Sequence, residues 1–438
     1  MLNKVNFFFI FFISILPLSF ITGPAIPDLT IVFGGIFLIF YSYYKKTYKE
    51  ILNNSLFKFS IIFWFFLLFI SFFSQNIVLA YRDSIIFIRY LVLPIILVFL
   101  IYNNKNILKF TTGLIFVLVI LVCFDCIFQF LNYDPEFGFG KDLLGFTPDW
   151  YGRLNGPFYQ ELIPGAYISK FGLIGLAFAL VFFKNKRLQN YLSIFYLTLI
   201  GVVTYISGER MALATFMLGL TFLFIFYSKK RIIFFISILL ICLISLFINK
   251  NHPFYNDYKI LESTPYHLGL KIEKSFQCKE NKKLTCNKII NLQPSFVEVL
   301  KNFNESPYGQ IYSLSLKMFS DHKLQGIGLN NFTYLCENDD RYKDKIKNYN
   351  CVSHPHNIYL QWLVEAGIFG IIFFVLYLYF VVQFILKNNF NKFSFLSLAN
   401  LLIIFWPIMS TGSLLKNWNG VSTFFLIGLC LSLSRLKK

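Results

Sequence analysis

The stretch ILKFTTGLIFVLVILVCFDCIFQFL, residues 107–131, decides the fold. It contains two charged residues, Lys109 and Asp125, and is somewhat longer than the roughly 20 residues that a helix needs to cross a bilayer core. Its apolar residues show no strand-like alternation, and a backbone in lipid must satisfy its hydrogen bonds internally. The stretch therefore predicts a membrane-spanning helix.

Comparable apolar blocks recur along the chain. Hydrophobic residues make up 56% of the sequence and charged residues only 14%, whereas about 25% is usual for a soluble domain. We therefore predict an all-α polytopic membrane protein with about 12 transmembrane helices. The predicted spans lie at roughly 6–23, 28–44, 57–74, 84–102, 107–131, 161–183, 189–206, 211–228, 232–249, 358–386, 394–412 and 420–434.

The distribution of Lys and Arg predicts the orientation. One set of connections is basic, and it holds Lys4, Lys45, Lys46, Lys49, Lys58, Lys105, Lys109, Lys184, Lys186, Arg187, Lys229, Lys230, Arg231, Lys387, Lys392, Arg435, Lys437 and Lys438. The positive-inside rule then places both termini in the cytoplasm, with the first apolar block as an uncleaved helix. This distribution explains most of the net charge of +18, so a nucleic-acid partner is not needed.

The same topology divides the chain into five parts. They are helices 1–5 at 1–131, a smaller periplasmic loop at 132–160, helices 6–9 at 161–249, a large periplasmic loop with short helices at 250–357, and helices 10–12 at 358–438. The spacing of Leu314, Leu316 and Phe319 ahead of Gly326-Ile-Gly328 predicts a short amphipathic helix that ends in a turn.

Four of the eight Cys lie in the large loop: Cys278, Cys286, Cys336 and Cys351. An even number of Cys in an oxidising compartment favours two disulfides, and pairing of near neighbours (278 with 286, 336 with 351) is the simplest of three connectivities. A zinc site is the alternative, although no close Cys pair repeats in the loop.

Four Arg lie near the predicted outer face, against the positive-inside trend. They are Arg82, Arg89, Arg153 and Arg210. Ionisable residues in or near spans are candidates for function, and the guanidinium group binds a diphosphate with two parallel hydrogen bonds. The alternative for each is extension to lipid headgroups or pairing with an acid such as Asp83 or Glu209.

A second polar cluster precedes the span at 358–386. It holds His354 and His356 around a proline, then Asn357, and further on Gly367 and Gly370. A neutral imidazole there can accept a proton from a hydroxyl group, which is the work of a general base. The glycines, three apart, predict one helix face open to close packing. A metal site would need a third ligand that the motif does not offer.

These motifs resemble the signature of bacterial O-antigen ligases and related polymerases. The resemblance rests on His356-Asn357 with Gly367-x-x-Gly370, on the lead-in from Leu316 to Gly328, and on the Arg segments Ser207-Gly-Glu-Arg210 and Arg153-x-x-Gly-x-Phe158. The chain departs from the pattern at Glu209 and Met211, on either side of Arg210.

The resemblance implies an inverting, metal-independent glycosyltransferase without a cofactor in the bacterial inner membrane, acting at the periplasmic face. Its donor would be a glycan on undecaprenyl diphosphate. Arg210, Arg153, Arg89 and Arg82 would bind the diphosphate, and His356 would be the base, supported by His354 and Asn357. The acceptor would be lipid A–core for a ligase, another carrier-linked repeat for a polymerase, or a protein hydroxyl for an oligosaccharyltransferase. A lipid-linked glycan transporter or flippase is the alternative from another class.

Overall fold

The computed structural model describes residues 16–436 except 24, 45, 104, 135–137, 184, 257–270, 278–284, 293–295, 344–350, 388–390 and 409. Residues 16–22 are helical. The long helices are α1 (Ala25–Tyr44), α3 (Ser55–Ser71), α4 (Ile77–Asn103), α5 (Lys105–Leu131), α6 (Pro164–Phe182), α7 (Lys186–Ile206), α8 (Arg210–Phe226), α9 (Arg231–Asn251), α11 (Pro307–Asp321), α14 (Ile358–Lys387), α15 (Lys392–Ile404) and α16 (Asn417–Ser434). The short helices are α2 (Tyr48–Asn53), α10 (Phe296–Lys301), α12 (Phe332–Asn338) and α13 (Asp340–Lys343).

The described helices make this a polytopic membrane protein. Five of them are long and apolar enough to cross a bilayer: Asn106–Leu131, Pro164–Val181, Lys186–Ile206, Ser228–Asn251 and Ile358–Lys387. Three shorter apolar helices, Ser55–Ser71, Arg210–Phe226 and Phe393–Ile404, accompany them. The larger number of spans and the cytoplasmic termini stay predictions, as does the division into two loops and three helical groups.

The helix bundle is apolar on the outside and more polar within. Helix α9 belongs to the most apolar of the five candidate spans, yet it is the least buried of them. Helix α16 carries Asn, Ser and Thr side chains, and every residue from Asn419 to Ser434 is buried. It packs against α4 and α15. Hydrocarbon tails do not penalise exposed Phe and Ile, so apolar character marks the lipid side, and small polar residues mark helix contacts.

Short strands interrupt the predicted all-α architecture. Strand β1 (Tyr133–Asp134) pairs with β2 (Gly138–Phe139) in antiparallel fashion. In the large loop, β4 (Lys271–Gln277) and β5 (Thr285–Leu292) form an antiparallel pair. Strand β3 (Trp150–Tyr151), from the smaller loop, joins β5 in parallel. The prediction of short helices alone was therefore incomplete, and this sheet connects the two loops.

The predicted amphipathic helix of the large loop is confirmed as α11. Leu314 and Met318 are buried in a small core with Phe332, whereas Leu316 is exposed and faces away from it. A disulfide joins Cys336 to Cys351 beside this core, as predicted. Cys278 lies outside the described residues, as does the side chain of Cys286, so their pairing stays a prediction.

Helix α14 is not continuous, and this corrects the predicted helix face of Gly367 and Gly370. Gly367 has φ 69° and ψ −167°, which breaks the helix. The loop after α11 fills the break, because Ile327 N–H donates to Val364 O (3.0 Å) and Ile368 N–H donates to Lys323 O (2.9 Å). A Cβ on Gly367 would lie 2.1 Å from Leu324 O, so this close approach requires glycine.

Candidate functional site

The smaller loop is fastened to helix α5 by Gln129. The Gln129 carbonyl accepts from the N–H groups of Asn155 (3.2 Å) and Gly156 (3.0 Å), and its amide donates to Asn155 Oδ1 (2.6 Å). Asp125, one turn earlier, accepts from Leu143 N–H at 2.8 Å. These buried side chains leave the loop little freedom where it carries Arg153.

Arg153 packs against the turn that precedes Arg210, which we call the Arg turn (207–210). Leu154 N–H donates to Ser207 O at 3.2 Å. Gly208 has φ 75°, and a Cβ there would lie 2.1 Å from Gly152 O and 3.0 Å from Arg153 Cδ. Arg153 itself donates to Leu162 O at 2.7 Å. The structure thus brings together the two predicted Arg motifs, which are separated in sequence.

Glu209 links the Arg turn to the start of α6. Helix α6 begins with Pro164 and has no side-chain cap of its own. The Glu209 carboxylate accepts from the N–H groups of Gly165 (2.5 Å) and Ala166 (3.0 Å), two of the donors that a helix start leaves unpaired. The residue as a whole is half-buried. Its carboxylate lies among protein atoms, and this burial raises the Glu209 pKa to about 7, against the opposing effects of Arg153, the two N–H groups and Lys170.

His354 and His356 lie together in a second turn, the His turn (353–357), directly before α14. Their ring centroids are 4.2 Å apart. The Tyr308 ring, from α11, meets His356 edge-on at 6.0 Å between centroids. His356 has φ 54°, a left-handed conformation that is strained for a residue with a Cβ.

The hydrogen-bond partners of the His354 ring are neutral, and the Lys416 charge also acts on this ring. His354 Nδ1 hydrogen-bonds with Ser353 Oγ (2.8 Å) and His354 Nε2 with Thr411 O (3.2 Å). Burial lowers the pKa of His356, and burial together with the neighbouring His356 lowers that of His354 to about 4. Asn357 caps α14 by accepting from the N–H groups of Tyr359 and Leu360. Both imidazoles are therefore held neutral at pH 7.

A chain of contacts runs from the His turn toward the Arg turn. Thr411 N–H donates to His356 O at 2.8 Å. The next residue, Gly412, packs against the Asn419 amide, where a Cβ would lie 2.2 Å from Asn419 Nδ2. Lys170 Nζ of α6 donates to Asn419 Oδ1 at 3.4 Å, and its charge interacts with that of Glu209. The N-terminal parts of α6 and α16 thus lie between the two candidate groups.

The other two predicted Arg residues have protein partners. Arg89 forms an ion pair with Asp28 and donates to Tyr90 OH (2.8 Å) and Asn417 Oδ1 (2.9 Å). Arg82 is exposed and pairs with Asp83 at 2.9 Å. Pairing with a nearby acid, the alternative considered for each Arg, is therefore what the structure shows for these two.

A family model described as O-antigen ligase matches residues 194–375. This match spans the Arg turn, the whole large loop, the His turn and the break in α14. Over these residues the chain is similar to O-antigen ligases. No curated protein shows a significant match to the chain. The similarity supports a function of the O-antigen ligase or polymerase kind in a multi-pass membrane protein.

Lys170 and Gln129 are absent from the predicted site residues. Lys170 is the one basic residue within the predicted span 161–183, and an ionisable residue inside a span is by itself a candidate for function. Glu209 was considered as a partner for Arg and as a departure from the family pattern, because a cap supplied to another helix has no local sequence signal. Gln129 likewise serves a loop that lies beyond its own helix.

Proposed function

We propose that this protein transfers a glycan from undecaprenyl diphosphate to a hydroxyl acceptor at the periplasmic face of the inner membrane. We place lipid A–core first among the acceptors. The observation that carries the proposal is the packing of the Arg153 segment onto the Arg turn. Contacts also lead from His356 through Thr411, Gly412 and Asn419 to Lys170, on the same helix α6 whose start is capped by Glu209. Cations for a diphosphate and a neutral base are the two requirements of such a transfer.

The proposed reaction is a single displacement with inversion. His356 takes the proton of the acceptor hydroxyl, and the hydroxyl oxygen forms a bond to the anomeric carbon of the donor sugar. The bond between that carbon and the diphosphate oxygen breaks, and undecaprenyl diphosphate leaves with the electron pair. Arg153 and Arg210 stabilise the charge on the leaving group, as fixed cations do where charge develops. The glycosyl diphosphate bond supplies the driving force, so the reaction needs neither nucleotide nor metal.

The surroundings of His356 suit the role of base. Burial lowers its pKa, so the neutral form that can accept a proton predominates at pH 7. His354, bonded to Ser353 and Thr411, supports the turn, and Asn357 fixes the start of α14. Gly367 admits the loop that closes the helix break. Gly370 is also tightly packed, since a Cβ there would lie 2.1 Å from Ala366 Cβ.

Arg89 and Arg82 take lesser parts in the proposal. Arg89 is bound by Asp28 and Asn417, so we assign it to positioning the start of α16. Arg82 is exposed near the start of α4 and would meet only the outer part of a donor.

Reconstitution tests the proposal. The purified protein in liposomes receives a defined undecaprenyl-diphosphate oligosaccharide, with lipid A–core, with a hydroxyl-bearing protein, or with donor alone, and products are identified by mass spectrometry. We expect sugar on lipid A–core, and a loss of about 10²–10⁴-fold in His356→Ala.

The alternative functions give different products. Longer carrier-linked glycan from donor alone would replace the ligase by a polymerase with the same chemistry. Sugar on the protein would indicate an oligosaccharyltransferase. No transfer to any acceptor, with donor moved across the bilayer by folded protein, would overturn the proposal in favour of a transporter.

A further inference from the structure

Lys170 is a buried cation in an apolar helix with few groups to satisfy it. It is 8% exposed, and an ammonium group has three hydrogen-bond donors. Within the described residues its hydrogen bond is the long one to Asn419 Oδ1, at 3.4 Å, and it lies 5.9 Å from the centre of the Trp418 ring. A buried ammonium group without a counter-charge costs several kcal/mol of stability. Burial of Lys170 therefore requires an anion nearby.

The direction of the side chain identifies where that anion lies. A helical side chain leans toward the N-terminus and covers the preceding turn. From Lys170 this direction leads to Ala166, whose N–H donates to Glu209. The ammonium group therefore lies near the start of α6, on the side of α6 that faces α16 and within electrostatic range of the Glu209 carboxylate.

Three positive charges, those of Arg89, Arg153 and Lys170, lie around the starts of α6 and α16. Asp28 pairs with Arg89, and the Glu209 carboxylate interacts with both Arg153 and Lys170. The starts of two helices add partial positive charge, and an anion is favoured there.

We propose, on the basis of the proposed function, that Lys170 binds the diphosphate of the lipid-linked donor together with Arg153, and that Glu209 takes the place of this anion when the donor is absent. On binding, the diphosphate replaces Glu209 as the negative charge nearest to Lys170. The second phosphate group repels the Glu209 carboxylate, because two neighbouring anions repel each other. Glu209 then accepts a proton, or its side chain rotates away.

Two readouts on the full-length protein in liposomes test the role of Lys170. One is the donor KM and kcat of transfer; the other is the Kd of inorganic diphosphate, measured without any transfer. We expect Lys170→Met to raise both KM and Kd about tenfold or more, with a smaller change in kcat, and Lys170→Arg to restore most of the affinity. Lys58→Met, which removes an exposed lysine from α3, is the matched control.

The double variant Lys170→Met with Glu209→Gln separates binding from simple charge balance. If Lys170 binds the donor, the double variant keeps the raised KM and Kd. Recovery of wild-type values in the double variant would mean that Lys170 only neutralises Glu209 and would overturn the inference. Unchanged KM and Kd in the single variant would also overturn it. If Lys170→Met does not fold, Lys170→Gln gives the same comparison.

If the proposed function is wrong, the wild-type protein transfers no glycan. The Kd of diphosphate still reports on Lys170 in that case.

Discussion

The Arg turn and the His turn each contain a residue with positive φ, but the residue differs. In the Arg turn it is Gly208, at φ 75°, and the space that a Cβ would occupy is filled by Gly152 O. In the His turn it is His356 itself, at φ 54°. The first turn is determined by close packing, whereas in the second the strained residue is the candidate base.

The two turns also differ in charge. The Arg turn includes Glu209, whose carboxylate interacts with Arg153 and Lys170 and caps α6. The neighbours of the His turn include Tyr308, Thr411 and the charge of Lys416, which acts on His354. The Arg turn contains a carboxylate, whereas in the His turn burial lowers the pKa of both imidazoles, and the proposed transfer uses both properties.

The largest expected effect comes from changing His356. We expect His356→Gly and His356→Ala to lose transfer by about 10²–10⁴-fold, because both remove the proposed base. Their stabilities should differ, because glycine tolerates φ 54° and alanine does not. The free energy of unfolding of the Gly variant should exceed that of the Ala variant by about 1 kcal/mol. Thermal unfolding in detergent measures this difference, and a less stable Gly variant would show that the turn is not strained.

A smaller effect is expected from adding a Cβ to the Arg turn. In Gly208→Ala the new methyl group collides with Gly152 O, so the Arg153 segment must move and transfer should fall about tenfold. Gly145→Ala is the matched control, since Gly145 also has positive φ (93°) but no atom within 4 Å of the new Cβ. Transfer assays on both variants decide the matter; equal losses would assign the effect to backbone strain alone.

The smallest effect concerns stability against pH, and it has opposite signs in the two turns. The Glu209 pKa is raised to about 7, so its contribution to stability is complete below its ordinary value of 4.5 and is lost as the pH rises through 7. The His354 pKa is lowered to about 4, so its contribution is present above 6.5 and is lost as the pH falls through 4. Melting temperatures should rise at alkaline pH in Glu209→Gln and at acid pH in His354→Gln, each relative to wild type.

This assignment would be contradicted if the melting temperature of each variant differed from that of the wild type by the same amount at every pH. Such a result would mean that neither group changes its protonation on unfolding in the way that its surroundings require.

The sequence allowed prediction of what depends on local pattern. Apolar length predicted the spans such as Ile358–Lys387, and the Cys pair 336 and 351 formed the predicted disulfide. The break at Gly367 was hidden, because the residues around it continue a helical pattern and only the loop from 323 to 328 makes the break stable. Strand β3 pairs with β5 across a separation of more than a hundred residues, which no periodicity reports.

In the candidate site, too, local motifs could be predicted and contacts between distant segments could not. The Arg and His motifs could be named from the residues, yet their connection through Asn419 and Lys170 depends on how α6 and α16 meet. The structure alone shows that Asp28 and Asn417 bind Arg89. These contacts join residues of distant helices, and one sequence does not contain that information.

The break in α14 limits how the large loop can move. Backbone groups of Val364, Glu365 and Ile368 have their hydrogen-bond partners in the segment from 323 to 328. Lifting that segment away would leave these groups unpaired inside an apolar bundle, at a cost of several kcal/mol. The segment from 323 to 328 is therefore held in place against α14 and does not act as a lid. We expect hydrogen exchange to be slow at Ile327 and faster along β4 and β5.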